Sequence, residues 1–188
     1  MSKIGFLREG IRNLKTVGSV VRSSSYLCRA MVRPIDFQKA DVIIELGAGD
    51  GAITTHILQR MKPDSRLLVF EVNDVFCERL KNNIKDVRFI LIQDSAANIA
   101  EHLHRHQIKE IDYIVSAIPF VVLPEELATE IIMVCKKHLR VGGLFIQMHY
   151  SLFIKQLYIN FFGNIHQKFV PLNIPPAFVF VCKKKSAY

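Results

Sequence analysis

An apolar run that ends in three glycines at alternate positions, Glu45-Leu46-Gly47-Ala48-Gly49-Asp50-Gly51, constrains this chain more than any other stretch. Asp41 to Leu46 reads as a buried parallel strand, and from Ala52 to Met61 the positions Ile53, Ile57 and Leu58 return to helical spacing. The glycines therefore occupy a strand-to-helix turn, where they allow φ > 0 and let a ligand touch bare backbone. Such turns also arise for packing alone, so the spacing has to carry the argument. A second apolar run, Leu67 to Phe70, ends at Glu71, twenty residues beyond Gly51. A carboxylate there can accept hydrogen bonds from both hydroxyls of a ribose. The glycines run G-x-G-x-G, not G-x-G-x-x-G, and no Walker lysine follows them, which favours a nucleoside-bearing ligand without a pyrophosphate.

From residue 41 onward short apolar runs alternate with helical stretches. Strands are expected at Asp41 to Leu46, Leu67 to Phe70, Val87 to Ile92, Ile111 to Ala117 and Leu144 to His149. This alternation predicts an α/β domain, a mostly parallel sheet with helices on both faces. Phe169 to Leu172 and Phe178 to Lys183 are joined only by Asn173-Ile174-Pro175-Pro176-Ala177, too short for a parallel crossover, so an antiparallel hairpin is expected at the sheet edge. In such sheets the ligand lies beyond the carboxyl ends of the strands. Gly47, Glu71, Gln93-Asp94-Ser95, Ser116 to Phe120 and His149-Tyr150 all stand at that edge. Asp94-Ser95 could equally cap a helix, and Pro119 could mark a plain turn.

The chain has 188 residues, which suits one domain, and it contains no run of about 18 uninterrupted apolar residues. No signal-peptide pattern precedes it, and Cys28, Cys77, Cys135 and Cys182 lack C-x-x-C spacing; reduced thiols and a cytoplasmic location are expected, without disulfides or a metal. His102, His104 and His106 read as a solvated helix end. The net charge is +8, of which residues 1–40 supply +6 and the other 148 supply +2. A basic leading segment implies an anionic partner, nucleic acid or a lipid surface. Within it Ile4, Leu7, Ile11 and Leu14 form a helical stripe bordered by Arg8, Arg12 and Lys15 on one side and Lys3 on the other. That pattern suits a helix lying in a membrane interface, or one packed on its own domain. Ser23 to Ser25 then cap a second helix that ends near Arg33-Pro34. Residues 1–38 are read as a helical lid and membrane-binding segment, and 39–188 as the main domain.

Glu45 to Gly51, Glu71, Asp94-Ser95 and Ser116 to Phe120 stand in the order found in class I S-adenosylmethionine-dependent methyltransferases, which residues 41–183 resemble. The resemblance implies a Rossmann-like, seven-stranded, mostly parallel sheet with an antiparallel last strand. It also implies that Glu45, Gly47, Gly49 and Gly51 face the methionine part of S-adenosylmethionine, Glu71 the ribose, and Asp94 and Ser95 the adenine. A narrower resemblance, to bacterial phospholipid N-methyltransferases, rests on Ile11 to Met31, Ser116-Ala117-Ile118-Pro119-Phe120, Gln147-Met148-His149-Tyr150 and Asn173-Ile174-Pro175-Pro176-Ala177. Val21-Arg22 stands where that family has Ala-Pro, Asp50 where it has Thr, and Ala117 where it has Gly.

The resemblance implies N-methylation of phosphatidylethanolamine, towards phosphatidylcholine, by an enzyme peripheral on the inner face of the cytoplasmic membrane. Displacement at a sulfonium needs alignment and a dry site, without a covalent nucleophile. The acceptor amine must first lose a proton, so Tyr150 and His149 are candidates to assist or orient it, with Ser116 in the catalytic segment. Arg8, Arg12, Lys15, Arg22 and Tyr26 are candidate lipid contacts, the arginines because a phosphate fits their fork. The enzymatic rival is a ribosomal RNA adenine N6-methyltransferase, whose catalytic segment carries an amide where Ser116 stands; the chain also ends at Tyr188, which leaves no room for a helical RNA-binding domain. Nucleic acid and an obligate protein partner are not expected. A third reading is a non-catalytic membrane-associated protein of the same fold.

Overall fold

Strand β1 (Val42–Leu46) is buried along its whole length, as only the middle of a sheet covered on both faces allows. The computed structural model describes residues 22–186. Around β1 it places β2 (Arg66–Phe70), β3 (Phe89–Ile92), β4 (Ile111–Ser116), β5 (Leu139–His149), β6 (Ile165–Val170) and β7 (Ala177–Lys183) in one seven-stranded sheet. The order is β3-β2-β1-β4-β5-β7-β6. Strands β1 to β5 pair in parallel, while β7 runs antiparallel to both β5 and β6. This is the Rossmann-like sheet that the alternation and the resemblance imply. Chain order reverses direction between β1 and β4, so their carboxyl ends open a crevice at the switch point.

Two apolar layers cover the sheet. On one face Ile44, Leu68, Ile114 and Phe145 meet Ile99, Leu103, Ile131 and Tyr158, from the helices α4 (Ile99–Arg105), α5 (Glu125–His138) and α6 (Lys155–Phe162). On the other, Ile43, Leu67, Val115 and Val179 meet the helices α1 (Ser25–Val32) and α2 (Ala52–Leu58), with Leu80 of α3 (Asp74–Asn83). Helix α1 begins where expected: the Ser24 hydroxyl accepts from the Leu27 N–H at 3.2 Å and caps it. Its Leu27, Cys28, Met31 and Val32 are buried in the same core as β1 and β7, so α1 packs as a layer on the sheet. The expected interfacial helix, with Arg8, Arg12 and Lys15, lies outside the described residues.

Several strand limits differ from the sequence expectation, each for a local reason. Strand β6 spans Ile165–Val170 where Phe169 to Leu172 was expected. It is the edge strand, so the polar run His166-Gln167-Lys168 is tolerated within it and hides the strand, while Leu172 falls in the turn. Strand β5 starts five residues earlier than expected, at Leu139, because Gly142 and Gly143 interrupt its apolar pattern. A Cβ on Gly143 would sit 2.8 Å from the Asp112 carbonyl oxygen, beside a register shift between Ile111 and Tyr113. Strand β3 starts at Phe89, not Val87. Before it, the Asp86 carboxylate accepts from the Arg88 backbone N–H at 2.9 Å in a turn.

Asp112 ties the amino ends of these strands together. Its Oδ2 accepts from the Asp41 and Val42 N–H groups at 2.8 and 2.9 Å, and its Oδ1 lies 2.6 Å from Arg140 Nε. Bonds to a charged acceptor are the stronger kind. Asp112→Ala is expected to lower the unfolding free energy by about 2 kcal/mol in urea denaturation; a loss below about 0.5 kcal/mol contradicts that role.

Candidate functional site

The glycine turn is fastened at both sides before it meets any ligand. Gly47 N–H donates to the Phe70 carbonyl of β2 at 2.8 Å, and Ala117 N–H donates to the Leu46 carbonyl at 2.9 Å. Gly47, Gly49 and Gly51 have φ of 73°, 58° and 85°, in the left-handed region that side-chain-bearing residues avoid. At Gly51 a Cβ would also press on Leu80 Cδ2 at 2.9 Å, whereas around Gly49 nothing lies within 4 Å of that position. Gly51 therefore serves helix packing, and Gly49 leaves backbone open to a ligand.

Glu71, at the carboxyl end of β2, is the centre of the turn. Its Oε2 accepts from Gly49 N–H at 2.9 Å, and its Oε1 from Val72 and Asn73 N–H at 2.8 and 2.9 Å. A carboxylate has about four acceptor sites, so about one remains for a ribose hydroxyl. Asp94, after β3, is built alike. It accepts from Ser95 N–H at 2.7 Å and from Asn98 Nδ2 at 2.9 Å, and its Oδ2 lies 2.8 Å from His102 Nε2. Burial alone would raise the Asp94 pKa, but the bonds from His102, Ser95 and Asn98 outweigh it and hold the carboxyl below its ordinary range. Ser95 is fully buried and caps a short turn (Ala96–Asn98) by accepting from Ala97 N–H at 3.2 Å. The capping alternative for Asp94-Ser95 is thus realised. His102, expected at a solvated helix end, is instead buried against Asp94 and edge-on to Phe70.

Glu45 is the most unusual group. It points from β1 into the face that carries α2, is 1% exposed, and neither carboxyl oxygen has a hydrogen-bond partner; nor has the buried hydroxyl of Thr54 on α2. Burial pushes the Glu45 pKa up to about 8; Thr54, close by but outside hydrogen-bond geometry, offsets this only in part, and the charges of Glu71 and Asp50 add to the rise. An orphaned buried acid beside an open glycine turn suits a cationic group of a ligand, as the methionine ammonium of S-adenosylmethionine would provide. With Glu71 and Gly49, these residues fit that cofactor.

Asp50, the residue that replaces Thr in the loop, has two partners. Its Oδ1 accepts from Ala52 N–H at 3.1 Å, and its Oδ2 lies 3.0 Å from Arg22 Nε. Arg22 was expected at a lipid phosphate; the structure turns it towards the glycine loop, although its side chain stays 74% exposed. Tyr26 is exposed, with the Arg29 guanidinium 4.8 Å from its ring centre.

Beyond β4, the Ser116 hydroxyl is fully buried and accepts from Ile118 N–H at 3.3 Å, while the Ile118 carbonyl accepts from Gln147 Nε2 at 2.9 Å. Ser116 therefore shapes the 116–120 segment from behind. His149 corrects its expected role: it is buried, 3.0 Å from the Tyr158 hydroxyl and packed on Phe180, and burial lowers its pKa to about 4. A neutral imidazole sealed behind the strand end has no direct path to an acceptor amine. Tyr150 faces solvent at 41% exposure, and burial of the rest of its ring raises its pKa, which the neighbouring Asn173 amide partly offsets.

Thr54 was not among the residues singled out from sequence, and Asn173 and Gln147 stood there only within segments that carry the resemblance, with no role of their own. Asn173 is 2% exposed; its Oδ1 accepts from Ser24 N–H at 2.9 Å and its Nδ2 donates to the Pro175 carbonyl at 2.7 Å. It joins the start of α1 to the β6–β7 turn beside Tyr150. Thr54 had a legible signal, a polar residue on the same helical stripe as Ile57 and Leu58. Among the described residues no group of three His, Cys, Asp or Glu side chains is placed to hold a metal.

The Glu45 acid makes stability depend on pH. Its folded pKa of about 8 exceeds the ordinary 4.5, so above pH 4.5 the unfolded chain releases a proton that the folded protein keeps. Stability without cofactor should fall as pH rises from 4.5 to about 8, by up to about 1.4 kcal/mol per pH unit. Glu45→Gln should remove that slope in urea titrations; an unchanged slope contradicts the assignment.

The chain resembles known proteins in sequence and in fold. The chain matches the Methyltransferase small domain family over residues 20–169. It is 31% identical over 180 residues to ornithine lipid N-methyltransferase of Singulisphaera acidiphila, covering 95% of this chain and 94% of that one. It is 32% identical over 85 residues to ribosomal RNA small subunit methyltransferase A of Mycoplasmopsis synoviae, a match to 45% of this chain and 30% of that protein. Among solved structures, precorrin-6y C5,15-methyltransferase from Geobacter metallireducens superposes with a TM-score of 0.70 over 89% of this chain and 91% of that one, at 14% identity. The chain therefore belongs to the Methyltransferase small domain family, and it is an S-adenosylmethionine-dependent methyltransferase of the class I fold.

Proposed function

We propose that this methyltransferase N-methylates the primary amine of a membrane lipid headgroup at the cytoplasmic face of the cytoplasmic membrane. The observation that carries the reading is the match along nearly the whole chain to a relative that N-methylates ornithine lipid. Phosphatidylethanolamine, the acceptor that the sequence resemblance implies, presents the same chemistry: a primary amine close to an anionic group.

S-adenosylmethionine supplies a methyl group on a sulfonium, an electrophile whose departure leaves a neutral thioether. The amine lone pair forms the C–N bond as the C–S bond breaks towards sulfur, and the product ammonium gives its proton to water. The protein contributes placement and exclusion of water. Glu45 would take the methionine ammonium, the backbone at Gly47, Gly49 and Gly51 would line the methionine part, and the free acceptor site of Glu71 would take a ribose hydroxyl. Asp94 has about one acceptor site left for the adenine amine, with Ser95 holding the turn behind it. A phenol is already protonated at neutral pH, and burial raises the Tyr150 pKa further from that range. Tyr150 therefore acts as a hydrogen-bond partner that orients the amine, and the base is solvent. Ser116 supports the acceptor side through Ile118. Arg22, beside Asp50 and largely exposed, and Tyr26 remain candidates to meet the lipid's anionic group, together with Arg8, Arg12 and Lys15.

Two measurements test this reading. Protein incubated with methyl-labelled S-adenosylmethionine and detergent-dispersed phosphatidylethanolamine, ornithine lipid or 16S ribosomal RNA should label a lipid amine, and the labelled arm names the acceptor. Label in the RNA alone contradicts the proposal. Glu71→Ala removes the acceptor of three backbone N–H groups and should abolish cofactor binding in calorimetry; affinity within threefold of the unaltered protein contradicts the site.

A further inference from the structure

Among the described residues, six exposed large apolar side chains crowd the edge of the sheet where the cofactor site opens. Phe153 is 88% exposed, Ile174 77%, Leu172 60% and Tyr26 51%, with Tyr150 and Leu152 at 41% each. They come from three separate segments: the start of α1, the loop after β5 and the β6–β7 turn. Asn173 holds the three together, since it bonds Ser24 N–H and the Pro175 carbonyl and neighbours Tyr150. A contiguous exposed apolar patch on a soluble fold marks an interaction surface.

Charge points to what that surface meets. Residues 131–188 contain eight Lys or Arg and no Asp or Glu, and no acid occurs between Arg22 and Ile35. Residues 41–130 hold fifteen Asp or Glu against nine Lys or Arg. The fold puts the two acid-free stretches side by side, because α1 packs on β5, β6 and β7. The segments that carry the apolar patch hold no acid of their own, and Arg22, Arg29 and Lys155 flank it, while Lys137, Arg140 and Lys184 gather at the other end of β5. Aromatic and aliphatic side chains rimmed by Lys and Arg suit the boundary between acyl chains and anionic headgroups. Nucleic acid would match the charge but leave Leu152, Leu172 and Ile174 unsatisfied.

We infer that the β5–α6 loop and the β6–β7 turn insert into the surface of an anionic bilayer, and that the carboxyl edge of the sheet faces the membrane. This orientation rests on the lipid-methyltransferase reading and adds to it: a headgroup reaches the site without its acyl chains leaving the bilayer.

The chain has no tryptophan, so a single introduced indole reports its own surroundings. Phe153→Trp and Ile174→Trp in the full chain should shift emission to the blue and be quenched by bromine-labelled acyl chains in vesicles containing phosphatidylglycerol. Val141→Trp, at the opposite end of β5 and at a site 57% exposed, should do neither. Phe153→Ser with Leu172→Ser should weaken co-sedimentation with the same vesicles at least tenfold, with cofactor affinity unchanged. Absence of quenching at both loops, equal quenching at Val141→Trp, or vesicle binding within twofold after the serine changes overturns the inference. An emission shift with ribosomal RNA and none with vesicles does so as well. If detergent-dispersed aminolipid is still methylated in such a case, the orientation alone falls and the proposed function stands.

Discussion

Three backbone N–H groups converge on one buried carboxylate, and the rest of the site is arranged around that convergence. Glu71 binds Gly49, Val72 and Asn73 at once, linking the glycine turn after β1 to the start of α3 after β2. Without it the turn would present left-handed glycines and unpaired amides to a crevice from which water is largely removed, a costly arrangement. With it, the cradle exists before cofactor arrives. Preorganisation of this kind lowers the ordering cost of binding.

The same economy recurs across most of the site. Asp94 collects three donors at the end of β3, Ser116 braces the 116–120 segment and Asn173 stitches α1 to the β6–β7 turn. Glu45 has both oxygens unpaired in the interior, beside the unpaired Thr54 hydroxyl. Buried polar groups without partners are rare in folded proteins, and here the orphan borders the turn where a cation is needed. Arg22 and Asp50 then connect the leading helix to that turn, so the segment that carries the candidate lipid contacts also touches the cofactor loop. Acceptor side and donor side share a structural element.

Much of this was legible in the sequence because it rests on local patterns. The G-x-G-x-G turn, the carboxylate at the end of β2, the serine cap of α1 and the antiparallel β7 each follow from spacing within a few residues. What was not legible depends on the third dimension. His149 reads as a polar strand end, and only the aromatic layer of Tyr158 and Phe180 shows it to be sealed away. Asp50 had no visible purpose until Arg22, 28 positions earlier, was brought to it. Strand β6 hid because this edge strand holds the polar run His166-Gln167-Lys168, and the length of β5 hid behind two glycines, one required by a positive φ and one by a close backbone approach. The two stretches without acids, 22–35 and 131–188, become neighbours only once α1 is seen packed beside β5, β6 and β7.

The central claim, that Glu71 holds the cofactor cradle ready in advance, predicts an observable in the protein without cofactor. Hydrogen exchange followed by NMR should find the Gly49, Val72 and Asn73 amides protected at least a hundredfold over an unstructured chain, although Gly49 lies in a glycine turn. In Glu71→Gln, which keeps one oxygen acceptor, part of that protection should vanish at these three positions together. Exchange of Gly49 at the unstructured rate in the unaltered protein would contradict the account.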